Sequence, residues 1–314
     1  MHPIRARCLA AGLMAALAGL AHAAGGTSCT KEAGVEIEVP GGTVCASIDD
    51  PELSLRRPLL RDWIERSARI VAQYYGGFPA PFVVLHIRGA PGGGVRGGRT
   101  TDESGLVIQV TVGRAATAEE LTADWVLVHE MVHLALPEVG RRHSWLAEGI
   151  ATYVEGIARA QFGNRDIADV WAEYRQSMPL GLPHAGEGGM DQTPTWGRTY
   201  WGGALYCLQA DVAIREQTGN RAGLQTALRA ILKATGGFAA EHDIDAVLAI
   251  GDAATGTRVL ESLYGEIKTT ALSPDLDLLW SRLGIPKDPK SEPFDDRAPL
   301  AAVRIAITAR QPGR

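Results

Sequence analysis

The chain has 314 residues, 46% of them hydrophobic and 21% charged, with a net charge of −5. Such a balance is ordinary for a folded protein with a sizeable core, and the length suits one large domain or two modest ones. The acidic excess excludes nucleic acid as the main partner, because phosphate binding needs a basic face.

The first segment, "MHPIRARCLAAGLMAALAGLAHA", carries Arg5 and Arg7, then an apolar run from Leu9 to Leu20, and ends in Ala21-His22-Ala23. A basic head, a short apolar middle and an A-x-A end predict a signal peptide over residues 1–23. The run is too short to span a bilayer, and no later stretch qualifies. Removing it leaves 29 basic residues against 36 acidic, a net charge of −7. The expectation is an exported protein, periplasmic or extracellular, with no integral membrane segment. Cys8 leaves with the signal. Cys29 and Cys45 flank a short, loop-rich stretch, and an oxidising compartment predicts a disulfide between them. Cys207 stands alone in an apolar helical pattern and reads as a buried hydrophobe.

Residues 24–117 read as an N-terminal α/β subdomain. In "LSLRRPLLRDWIERSARIVAQYY", Leu59, Leu60, Trp63, Ile64, Ile70 and Val71 recur at helical spacing, and Gly76 and Gly77 end the helix. "PFVVLHIRG" and "LVIQVTVG" read as strands. The second is a candidate exposed edge for pairing with an extended peptide, or a plain structural strand. Between them, "GAPGGGVRGGRTTDESG" reads as a flexible loop. No Gly-Lys-Ser/Thr follows it and it leads into a strand, so a phosphate cradle is excluded.

Residues 118–285 read as a mainly helical subdomain. Helices are predicted at 118–136, 144–161, 166–177, 199–217, 221–235, 243–251, 256–268 and 274–283, with the Gly/Pro-rich "MPLGLPHAGEGGMDQTPTWG" interrupting them. Residues 286–314 read as a linker and a tail, whose "LAAVRIAITAR" alternates weakly, as a short strand or a loose end. Strands first and helices after give an α+β class: a small N-terminal mixed sheet and a mainly helical C-terminal region.

"HEMVH" at 129–133 is H-E-x-x-H. On a helix, His129 and His133 lie one turn apart on one face, able to share a cation, and two imidazoles suit zinc. Glu130 is turned from His129 by roughly 100°, placing it beside the metal as a base for a bound water. Satisfaction of the histidines by ordinary hydrogen bonds is the alternative. A catalytic zinc takes a third protein ligand. The continuation H-E-x-x-H-x-x-G-x-x-H is excluded, because Leu136 and Val139 occupy its Gly and His places. The other continuation is a Glu on a following helix. "WLAEGIATYVE" offers Glu148, after Pro137 and Gly140 turn the chain and Ser144 caps the next helix. His143 is a fallback ligand. Thr152 and Glu155, on the face of Glu148, are candidate supports for the site, with a solvated acid as the alternative for Glu155. Asp124 falls in the first turns of the metal helix, where it favours the dipole.

"HEMVH" together with "WLAEGIATYVE" resembles the gluzincin metallopeptidases, most closely their glycyl aminopeptidase-like branch. The resemblance implies a thermolysin-like catalytic domain with His129, His133 and Glu148 as zinc ligands and Glu130 as general base. Gluzincins of this kind also carry Tyr-x-x-Gly at the start of a later helix. "RTYWGGALYCLQADVAIRE" matches it with Tyr200, which the resemblance makes the oxyanion donor, although Gly202 stands where Lys is common. The resemblance covers roughly residues 100–220. No PDZ-like region follows. Nor does a Gly-x-Met-Glu-Asn precede the metal helix, the motif that anchors a substrate's free amine in the related large aminopeptidases. The sequence therefore predicts an exported zinc metallopeptidase acting on peptides or proteins, with one Zn2+ per chain. The alternative is a catalytically silent zinc-containing binding protein of the same fold.

Overall fold

The computed structural model describes Cys29 and residues 34–102, 105–238 and 240–310. The signal-peptide reading falls on residues 1–23, outside the described residues. The described chain opens with a hairpin of β1 (Gly34–Val39) and antiparallel β2 (Gly42–Ile48). The stretch expected to be loop-rich is therefore mostly strand. Val-Glu-Ile-Glu-Val has the two-residue period of a sheet, turning Ile37 and Val39 inward and Glu36 and Glu38 outward. Cys45 on β2 is joined to Cys29 by a disulfide.

Asp50 caps α1 (Pro51–Ser54), and α2 (Arg57–Tyr75) ends at Gly76 with a φ of 88°, as its glycine predicts. Then come β3 (Phe82–Ala90), β4 (Val95–Thr101) and β5 (Val107–Gly113). The sheet order is β1-β2-β3-β5-β4, with β2, β3 and β5 parallel and the two outer strands antiparallel to their neighbours. The Gly-rich segment expected to be a loop thus contains the edge strand β4. Its glycines conceal it from a reading based on β-branched residues. Of the two readings of "LVIQV", the plain structural strand holds: β5 is an inner strand, between β3 and β4.

The helices are α3 (Ala118–Ala123), α4 (Val126–His133), α5 (Ser144–Phe162), α6 (Ile167–Ser177), α7 (Gly203–Thr218), α8 (Leu224–Thr235), α9 (Ile244–Thr255), α10 (Val259–Ile267), α11 (Leu276–Leu283) and α12 (Ala301–Thr308). The helix expected over 118–136 is broken at Asp124. That carboxylate accepts the N–H groups of Val126 and Leu127 at 3.0 and 3.2 Å, restarting the helix as α4. Asp124 is a cap rather than a first-turn residue, and Trp63 Nε1 also donates to it at 3.0 Å. Residues 301–308 are helical, not a strand or loose end. Ala301, Val303, Arg304, Ile307 and Thr308 are buried at helical spacing, and α12 packs on α5, α7 and α11. Buried Arg304 Nη1 donates to the carbonyls of Leu283 and Gly284 at 3.1 and 3.0 Å, which pins the C-terminal segment down. The class is α+β. Among the described residues, no helix is long and apolar enough to cross a membrane.

Candidate metal centre

Helix α4 lies against β4, α2 and α5, and every one of its residues is buried. This packing holds His129, Glu130 and His133 among Val, Leu and Met, where an unsatisfied polar group costs stability. After His133 the chain turns at Gly140, whose φ is 76°, and passes through a short 3-10 turn at Arg141–His143 into α5. Glu148 follows early in α5 and points back at the histidines. Its Oε2 lies 3.2 Å from His129 Nε2 and 3.5 Å from His133 Nε2. One ligand atom from each of the three residues lies within 4.8 Å of the others.

A metal fits these residues. Tetrahedral zinc with ligands at about 2.0–2.1 Å would separate its ligand atoms by about 3.3 Å, the spacing seen between the carboxylate and the imidazoles. The atoms that converge are Nε2 of both histidines and Oε2 of Glu148, each with a lone pair to give a cation; His129 Nδ1, the other ring nitrogen, is buried with no hydrogen-bond partner among the described residues. Burial draws His129 below its ordinary pKa, favouring the neutral ring that donates a lone pair to a cation. Burial also draws on His133, but the bond to Glu148 and the charges of Glu148 and Glu130 outweigh it and raise its pKa. Burial pushes Glu148 up. The hydrogen bonds and charges of the two histidines overcome this and hold its carboxyl well below the usual range.

The cluster lines a cleft of about 600 Å³, with Gly98, Arg99 and Thr100 of β4 on one side and Leu136, Val139 and Phe238 among its apolar walls. Glu130 is 8% exposed within it. Its Oε2 accepts a hydrogen bond from Thr100 Oγ1 at 2.8 Å, and the same hydroxyl lies 2.9 Å from the Glu130 carbonyl oxygen.

Tyr200 comes from a π-helical turn, Arg198–Gly202, that runs into α7. Its ring stacks on His129 at 6.2 Å and an interplanar angle of 22°. Its phenol is pushed up to about 12 by burial first, then by the charges of Glu148 and Glu130, so it stays protonated and able to donate at neutral pH. Two glycines bring it there. A Cβ on Gly149 would lie 2.3 Å from the backbone of Gly203, so α5 and the start of α7 meet backbone to backbone beside Glu148. Exposed Trp196 and Trp125 extend the ring contacts outward, Trp196 stacked on Tyr200 and Trp125 edge-on to His129.

Other candidates lie elsewhere. His143 is buried; its Nδ1 lies 2.7 Å from the Val139 carbonyl, and Nε2 lies 3.4 Å from Asp191 Oδ2. It braces the turn into α5 and is not in the ligand cluster. The buried Thr152 hydroxyl has no hydrogen-bond partner among the described residues. Glu155 is neither a support for the metal cluster nor a solvated acid. It is 5% exposed and paired with Arg159 and Arg165 at 3.4 and 3.7 Å. Sequence reasoning missed Thr100 and Gly98, which sit in the stretch expected to be a loop. It also missed Asp191, which binds the Trp145 indole N–H at 2.9 Å and the Tyr264 hydroxyl at 2.8 Å. The only signal for the Gly149–Gly203 contact was a glycine in each motif.

No protein-family model matches the chain, and no curated protein does. Solved structures do. An aminopeptidase N family protein from Idiomarina loihiensis superposes with a TM-score of 0.58 at 14% identity, over 80% of this chain and 49% of that one. An M1 zinc metallopeptidase from Deinococcus radiodurans gives a TM-score of 0.48 at 16% identity, over 76% of this chain and 52% of that one. The chain spans about half the length of these structures. At this identity the likeness is one of fold, and the fold is that of part of an aminopeptidase N family protein.

Proposed function

We propose that the chain is an exported zinc metallopeptidase of the gluzincin type, related to the glycyl aminopeptidase-like branch, with residues 24–117 as an N-terminal α/β subdomain and 118–285 as the zinc-binding catalytic subdomain. The observation that carries this reading is the convergence of His129, His133 and Glu148 on one point beside the buried Glu130 carboxylate. Bound there, zinc would supply Lewis acidity and lower the pKa of a water. Glu130 takes the proton of the attacking water and passes it to the leaving amine. The Tyr200 hydroxyl donates to the oxyanion that develops on the scissile carbonyl. An extended peptide would align along β4, the sheet edge that borders the cleft. Fold likeness to peptidases supports a peptide substrate, and the signal pattern and the Cys29–Cys45 disulfide support export.

The decisive experiment is a zinc-dependent cleavage profile on mixed synthetic peptides with the wild type and Glu130→Gln. The variant is expected to keep about one zinc per chain and to lose hydrolysis by about 10²- to 10⁴-fold. Full activity in Glu130→Gln overturns the mechanism. A wild type that carries zinc but cleaves nothing favours the silent binding protein.

A further inference from the structure

We infer that Thr100, with Gly98, is the positioning device for the general base. The inference rests on the peptidase reading above. In β4, residues two apart share a face. Gly98 pairs with Val110 and Thr100 with Ile108, and that shared face meets α4 at Glu130. A shift in pairing between Val95 and Gly97 re-aims the strand just before this point.

Each residue does a different part of the work. At Gly98 there is no room for a side chain: a Cβ would lie 2.6 Å from Glu130 Cγ and 3.1 Å from Cδ and Oε1. The strand backbone therefore forms the wall against which the carboxylate lies. At Thr100 the single hydroxyl hydrogen lies between two oxygens of the same residue, Oε2 at 2.8 Å and the backbone carbonyl at 2.9 Å. A glutamate side chain has three rotatable bonds. Tying its tip and its backbone to one atom selects one rotamer. The hydrogen bond occupies Oε2 and leaves Oε1 with no hydrogen bond among the described residues, available to receive the proton of the attacking water. A base held within a fraction of an ångström of its working position is what proton transfer rewards. Thr100 acts through Glu130 and need not touch the reacting atoms.

The test uses the full mature chain, loaded with zinc, and the best-cleaved peptide of a mixed synthetic set. Thr100→Val keeps the shape and removes the donor, and Thr100→Ala is run beside it in case the valine is not accommodated. Both are expected to bind zinc as the wild type does and to keep KM. Their kcat should fall by about 10- to 100-fold, the weight of one charge-assisted hydrogen bond. Thr100→Ser retains the hydroxyl and should recover kcat to within about threefold of wild type. Gly98→Ala should lower kcat with zinc retained. A Thr100→Val or Thr100→Ala protein with one zinc and wild-type kcat overturns the inference while leaving the peptidase reading intact. So does a fall in all three Thr100 variants alike, serine included. A wild type without zinc-dependent hydrolysis removes the reading and this inference with it.

Discussion

Helix α5 carries two polar clusters two turns apart, and they are built on opposite terms. Around Glu155 the charges are balanced by one another. Arg159 and Arg165 face Glu155 and Glu173, with Arg165 only 2.8 Å from Glu173, and Arg159 also donates to the Ala123 carbonyl and to Asn164. Around Glu148 the cluster faces the cleft and is rich in acceptors: the carboxylates of Glu148 and Glu130 and the imidazoles of His129 and His133. A cluster whose opposite charges pair off is architecture. One that gathers carboxylates and imidazoles on a single point is a candidate metal site.

Breaking the Glu148 cluster is expected to have the largest effect. Glu148→Ala removes the carboxylate that both imidazoles share. Zinc retained after dialysis should fall from about one per chain to near zero, with binding weakened more than about 100-fold and hydrolysis lost. Elemental analysis and the peptide assay read both. Zinc retention in that variant would put the ligand set elsewhere. Tyr200→Phe tests the same cluster more gently. Zinc and KM should stay, while kcat drops by about 10²- to 10³-fold, the weight of one oxyanion donor.

The smallest effect on activity is expected from the Glu155 cluster. Glu155→Gln should leave zinc and hydrolysis unchanged and alter only stability. Burial is the leading cause that pushes Glu155 up to about 7. A carboxyl raised in the folded state lends stability that is complete below its unfolded pKa of about 4.5 and is lost as pH rises through 7. The wild type should therefore lose on the order of 3 kcal/mol relative to Glu155→Gln between pH 4.5 and 8. Denaturant midpoints across that range measure it, and parallel curves would show that Arg159 and Arg165 fully offset the burial.

The same contrast separates what was legible in the sequence from what was not. H-E-x-x-H and the Glu-Gly of α5 were legible because helical spacing is local: four residues on one helix and a turn with Pro137 and Gly140 fix where side chains point. The boundaries of α5, α6 and α11 followed from the same periodicity to within two residues. Contacts between elements were not legible. Strand β4 hides in a run of glycines, one of which is a glycine because Glu130 fills the place of its side chain. Glu155 has the spacing of a ligand support, and only the arrival of Arg165 from the turn after α5 shows it to be part of another cluster. The break at Asp124 depends on a side chain capping its own chain, a choice that propensity does not foresee.

The contact of Gly149 with Gly203 bears on how the candidate site could be altered. It couples the residue next to Glu148 to the turn that carries Tyr200, so neither can be shifted without the other. The edge strand β4 makes no such backbone-to-backbone junction with α5. Directed evolution toward new peptides should therefore accept changes along Arg99 and the cleft walls and reject them at the glycine pair, dividing the molecule into a fixed anvil and an adjustable rest.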